Sequence, residues 1–154
     1  MGDSIVVGTD GSETARMALE EAVRLAKALG VELHVVSAFK PLRGAKISGA
    51  AEGAAKVWAP LPDSQVEATL SEAAALVRAR DVKVTTHAVR RDPVDALLEV
   101  AGEVEAGMVV VGSKGMHGAT RLTLGNVPNH LSHKARCNVL IVATEHQRAA
   151  RAQA

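Results

Sequence analysis

Three stretches of this chain are apolar almost without interruption: Ile5 to Gly8, Met108 to Val111 and Val139 to Val142. A strand with one wet face alternates apolar and polar residues, so unbroken Val and Ile runs predict parallel strands covered on both faces. Val31 to Ala38 and Val82 to Val89 complete a set of five candidate strands. Between the runs the apolar period changes to 3.6. The first helix carries Ala15, Leu19, Ala22, Ala26 and Leu29 on one stripe, opens on Ser12 as N-cap and stops at Gly30. The second begins at the capping-box sequence Ser64-Gln65-Val66-Glu67, with Leu70, Ala73 and Val77 on one face. The third has Asp92 as cap and Pro93 at its first position, with Val94, Leu97, Leu98, Ala101 and Val104 inward. The fourth runs from about Val127 through Leu131 to Ala135. Strands alternating with helices predict an α/β fold, a single-domain open five-stranded parallel sheet with helices on both faces.

At 154 residues the chain suits one domain. We place that domain at residues 1–144, with 40–62 as a mobile loop and 145–154 as a disordered tail. The loop is rich in Gly, Ala and Pro and without period; both a lid and a plain solvated connection are open readings. Aromatic rings are confined to Phe39 and Trp58, so the core must be aliphatic, and the stacking platforms of single-strand nucleic-acid binders are missing. Eighteen Lys and Arg against 17 Asp and Glu leave a net charge of +1, which gives no overall drive toward DNA or anionic membranes. Neither nucleic acid nor membrane is expected as a partner. No apolar run approaches the ~18 residues of a membrane span, Cys137 has no partner for an internal disulfide, and a cytoplasmic location is the expectation.

The apolar run at Met108 to Val111 leads into Gly112-Ser113-Lys114-Gly115, with Gly125-Asn126 further on. A buried strand that ends in a loop of small residues before a new helix presents backbone N–H groups to phosphate oxygens. The spacing excludes two familiar loops. Gly112, Gly115 and Gly118 do not make G-x-G-x-x-G, and no glycine is followed at the right distance by Gly-Lys-Ser or Gly-Lys-Thr. What remains is glycine, two residues, glycine, nine residues, glycine.

That spacing, with Val7-Gly8-Thr9-Asp10-Gly11-Ser12 near the start, resembles the universal stress protein family from Ile5 to about Val142. The resemblance implies a Rossmann-like sheet of the adenine nucleotide alpha hydrolase type that binds ATP, with Mg²⁺ accompanying the nucleotide. By the same resemblance the strands ending at Gly8 and Gly112 are neighbours. Thr9 and Asp10 contact base or ribose, and Val35 packs against adenine. Gly112, Ser113, Lys114, Gly115, Gly125, Asn126 and Val127 line the phosphate path at the positive end of the fourth helix. ATP-binding members usually carry Ser or Thr where this chain has Asn126. An Asn amide also donates but is larger and differently directed, which makes cyclic AMP an alternative ligand. The family also places the last strand, Val139 to Val142, at the sheet edge, where a two-fold homodimer would cover it.

Purely local readings compete with several of these. Asp10 can serve the turn into the first helix, and Gly125 can be a turn glycine. Asp92, Asp95 and Glu99 complement a helix dipole. His130, His133 and Cys137 fall at i, i+3 and i+7, a spacing that would put two imidazoles and a thiol on one helical face. No fourth ligand accompanies them, and no metal is expected. Catalytic signatures of the G-x-S-x-G and H-E-x-x-H kinds are missing, so slow ATP hydrolysis is the most that is expected of the pocket. The expected function is adenine-nucleotide binding in stress response or signalling. The alternatives are a cyclic-AMP binder, a slow ATPase and a dimeric scaffold that binds no nucleotide.

Overall fold

The five apolar runs pair into one sheet. The computed structural model describes residues 2–40, 64–113 and 124–143. Over these it contains β1 (Ser4–Gly8), α1 (Glu13–Leu29), β2 (Glu32–Ala38), α2 (Ser64–Arg78), β3 (Val84–Val89), α3 (Pro93–Glu103), β4 (Met108–Gly112), α4 (Asn126–Lys134) and β5 (Asn138–Val142). The strand order is β3-β2-β1-β4-β5 and every neighbouring pair is parallel. The chain winds outward from β1 to β3, returns through α3 to β4 and then winds the other way. The reversal lies between β1 and β4, which register Ile5 with Met108 and Val7 with Val110.

Successive strand side chains point to opposite faces, and the core divides accordingly. On one face Ile5, Val7, Leu33, Val35 and Val110 pack with Ala18, Ala22 and Val23 of α1 and Val77 of α2. On the other, Val6, Val36, Val109 and Val111 pack with Leu97 and Val100 of α3 and Leu131 of α4. Alanines along α1 let that helix lie close to the sheet, and bulk comes from the Val and Leu of the strands. The near absence of aromatic side chains is met by this division of volume.

The helix ends follow local chemistry. Ser12 Oγ accepts the N–H of Ala15 at 3.2 Å, and Gly30 closes α1 in the left-handed region (φ 68°, ψ 34°). Leu29 departs from the stripe read in the sequence: it is 61% exposed. The reversal at Gly30 brings Val31 against the core in its place, with its N–H bonded to Ala26 O at 3.0 Å. Asp92 occupies the N-cap of α3 with Pro93 behind it, yet its side chain makes no cap bond. Its carboxylate pairs with Lys40, just beyond β2. β2 and β3 begin at Glu32 and Val84, slightly later than their apolar runs, and α4 begins at Asn126, one residue earlier than expected. The expected loop at 40–62, apart from Lys40, and the tail at 145–154 lie outside the described residues.

Burial separates two leucines of equal size. Leu33 has no exposed surface, so Leu33→Ala is expected to lower the unfolding free energy by about 2 to 5 kcal/mol. Leu29→Ala should change it by less than about 0.5 kcal/mol. Urea unfolding followed by circular dichroism measures both.

Candidate functional site

In open parallel sheets ligands gather beyond the carboxyl ends of the strands where the winding reverses. Here that place is the gap between the ends of β1 and β4. Continuing their register sets Gly8 beside Val111 and Thr9 beside Gly112. The two motifs singled out in the sequence therefore end side by side, about one strand spacing of ~4.8 Å apart.

The β1 side is a tight turn held by its own polar groups. Thr9 N–H donates to Val36 O at 2.9 Å, which extends the β1–β2 ladder by one bond. Gly11 N–H donates to Thr9 Oγ1 at 3.2 Å, and Ser12 N–H to Asp10 Oδ1 at 2.9 Å. Asp10 is exposed and uses one carboxylate oxygen in this turn. The turn role read for Asp10 is thus present, and it leaves the second oxygen facing away from that bond as a hydrogen-bond acceptor. Gly11 sits at φ 79°, where a side chain is strained, and a Cβ there would also meet Thr69 Oγ1 of α2 at 3.1 Å. Gly8 has a packing role: a Cβ on it would lie 3.2 Å from Leu97 Cδ2, so its smallness lets α3 cross the end of β1.

On the β4 side, Gly112 pairs with Val142 of β5. Ser113 is buried, 3% exposed; its N–H donates to Val142 O at 2.9 Å and its carbonyl accepts Gly125 N–H at 3.0 Å. This last bond returns the chain to the end of β4 just as α4 begins. Gly125 is the N-cap residue of α4 with extended dihedrals (φ −60°, ψ 163°), and Asn126 is the first helical residue and exposed. Val127 is half-buried against the α3–α4 side of the core. The start of α4, with the positive end of its dipole, lies next to Ser113; Asn126 and Val127 carry backbone N–H groups there, Gly125 N–H is bonded to Ser113, and Pro128 has none.

Gly8, Thr9, Asp10, Gly112, Ser113, Gly125, Asn126 and Val127 are thus brought to one end of the sheet. Lys114 and Gly115 lie outside the described residues. Val35, read as packing against adenine, lies in the core. It has no exposed surface and lies opposite Val7 under α1 and α2, so in this structure it is a core residue. The His130, His133 and Cys137 alignment also fails to form. α4 ends at Lys134, both histidines are exposed, and Cys137 follows the helix, half-buried against the core, where burial raises its thiol pKa.

Beside the turn, a cavity of about 250 Å³ opens between α1 and α2, lined by Thr9, Ser12, Arg16, Thr69 and Glu72 among others. A larger concavity, about 500 Å³, runs along α1 past Met17, Arg24 and Lys27 to Arg80 and is remote from the strand ends. The first adjoins the chemistry. The second is an open surface whose Arg24 is already paired with Glu21.

Sequence reasoning missed a polar cluster on the β2–β3 seam. His34 Nδ1 and His87 Nε2 are 2.9 Å apart, and Glu32 accepts from Thr85 Oγ1 at 2.6 Å and pairs with Lys83 Nζ at 3.2 Å. The hydrogen bond from Thr85 holds the Glu32 carboxyl below its ordinary pKa. A histidine inside the apolar run of β2 was the available signal.

The protein-family model for the universal stress protein family matches residues 1–143. Universal stress protein Rv1636 of Mycobacterium tuberculosis is 33% identical over 145 residues, covering 92% of this chain and 96% of that protein. A crystal structure of a universal stress protein in complex with cAMP superposes with a TM-score of 0.71 at 30% identity, covering 94% of this chain and 98% of that one. A universal stress protein from Archaeoglobus fulgidus in complex with dAMP, at 24% identity and a TM-score of 0.63, covers 90% of this chain and 95% of that one and shares the fold.

Gly11 is where the turn is most constrained. Gly11→Ala is expected to destabilise the protein by about 1 to 2 kcal/mol, the cost of a side chain in the left-handed region. Thermal unfolding of the two proteins side by side measures the loss.

Proposed function

The chain belongs to the universal stress protein family, and from that premise we propose that it is an adenine-nucleotide-binding module of stress response or signalling. The observation that carries this reading is the meeting of the β1 turn, the end of β4 and the start of α4 at the one reversal of the sheet. Such a place offers a negatively charged acceptor on one side and the positive end of a helix on the other. In this reading the exposed carboxylate of Asp10 accepts ribose hydroxyls, with Thr9 beside it. Gly112, Ser113, Gly125, Asn126 and Val127 border the phosphates, and the resemblance adds Lys114 and Gly115. Val35 supports the floor from inside the core. ATP with Mg²⁺ is the first ligand to consider.

Cyclic AMP is the second reading, and two observations favour it. Asn126 stands where a hydroxyl would meet a terminal phosphate, and the relative at 30% identity was crystallised with cAMP. Turnover is not required by either reading. The functional reading as a whole is compatible with a cytoplasmic protein, and no helix among the described residues is long and apolar enough to cross a membrane.

Calorimetric titration of the dialysed protein with Mg-ATP and with cAMP tests the proposal. Binding of either is the expected result, and silence with both overturns it. Asp10→Asn keeps an oxygen for the Ser12 N–H but removes the charge. It should therefore fold normally and weaken the nucleotide by about 1.5 to 3 kcal/mol, the range for hydrogen bonds to charged groups.

β5 supports a second element of the proposal, a homodimer. It is an edge strand whose Val139, Leu140 and Ile141 are only half-buried, and such an edge pairs with another chain unless covered. Sedimentation equilibrium at micromolar concentration should return twice the 16.0 kDa chain mass, and Ile141→Lys should return one.

A further inference from the structure

The opposite edge of the sheet carries a feature that the nucleotide reading does not use. Among the described residues β3 pairs on one side only, and Thr85, Thr86 and Ala88 are exposed along it. It is joined to β2 by the ladder from Leu33–Val84 to Ala38–Val89 and, on the side of the sheet that α3 covers, by side chains from His34 and His87. His34 is 8% exposed. The two rings stand 5.2 Å apart between centroids and are tilted by 38°.

A 2.9 Å contact between two ring nitrogens requires one to carry a proton and the other a lone pair. Two arrangements satisfy it. Both rings are neutral with one N–H donated across the contact, or a single imidazolium donates to a neutral neighbour. A second proton leaves two donors facing one another and two positive rings in contact.

We propose that the His34–His87 pair is a proton-sensitive clasp that holds edge strand β3 to β2 at neutral pH and releases it in acid. The surrounding groups make the clasp one-sided. On β2, the Glu32 carboxylate lies 4.0 Å from His34 Nε2, away from the nitrogen that meets His87. Its other contacts, Thr85 and Lys83, come from β3 and its lead-in. On α3, Glu103 acts on His87 as a second anion, while Glu99, one turn earlier, is held by Arg91. β1 sets Ser4 and Val6 opposite Glu32 and His34 and adds no charge. On His87, burial and then the neighbouring His34 lower the pKa against the pull of Glu103 and Glu32, so this ring resists taking a proton. A histidine whose folded pKa is lowered stabilises the fold fully above its ordinary value near 6.5. That contribution is lost as the pH falls through the lowered value, because the unfolded chain then binds more protons. Protonation belongs to the pair as a unit.

The test is a titration of the full chain from pH 8 to pH 5, reading the imidazole nitrogens by ¹⁵N NMR and the backbone by hydrogen exchange. The expected result is a protonation step of His87 that lies below the ordinary histidine value. With that step, exchange of the 84–89 amides, corrected for intrinsic rate, should rise at least tenfold while β1 and β4 stay unchanged. His87→Gln retains an N–H for His34 but cannot titrate, and should flatten the acid response of β3. Independent titration of both rings near the ordinary value, or the same acid response in His87→Gln as in the natural chain, overturns the proposal. So does exchange at β3 that is constant across the range. None of these readouts involves nucleotide, so their failure is separable from failure of the binding reading.

Discussion

Everything in this molecule is arranged around the burial of β1. Ile5, Val6 and Val7 have at most 2% of their surface exposed, with β2 and β4 bonded on either side and a helical layer above and below. Between Ile5 and Val7 a polar side chain would be walled in on every side and costly unless it found a partner, and the chemistry of this strand falls to the first residues beyond it. Those residues are Thr9 and Asp10. The same centrality makes β1 the axis from which the chain winds in both directions, and so fixes where a crevice forms.

Burial on both faces is also why the sheet was legible in the sequence. Unbroken Val runs at Ile5 to Gly8 and Met108 to Val111 have few alternative uses in a soluble chain, and Ser12, Gly30 and Pro93 mark helix ends through strictly local chemistry. The meeting of Gly8-Thr9-Asp10 with Gly112-Ser113 was legible through motif spacing and family resemblance. Tertiary matters were not. Leu29 continues a helical stripe, but whether a last turn is covered depends on where the next segment returns. That Val35 has no exposed surface shows only once both helical layers are in place. Gly8 reads as a ligand glycine, and only the crossing of α3 shows the packing it also serves.

The His34–His87 contact shows the same boundary from another side. The two residues are far apart in the chain and meet because β2 and β3 register Val36 with His87. No local pattern encodes that register in advance of the fold. Val36 is also the residue whose carbonyl holds Thr9, so one backbone position is shared by the seam at the edge and the turn at the crevice. The two ends of polar chemistry in this protein are thus separated by a single strand.

The bond from Gly125 N–H to Ser113 O has a consequence for how such a chain can diversify. It joins the two ends of the connection between β4 and α4 at one point of the scaffold. Whatever length or composition lies between them starts and finishes in the same place, and the entropy of closing a longer excursion grows only slowly with its length. A change in the number of residues between these two points therefore costs the sheet little, provided that the chain still leaves and returns through this bond.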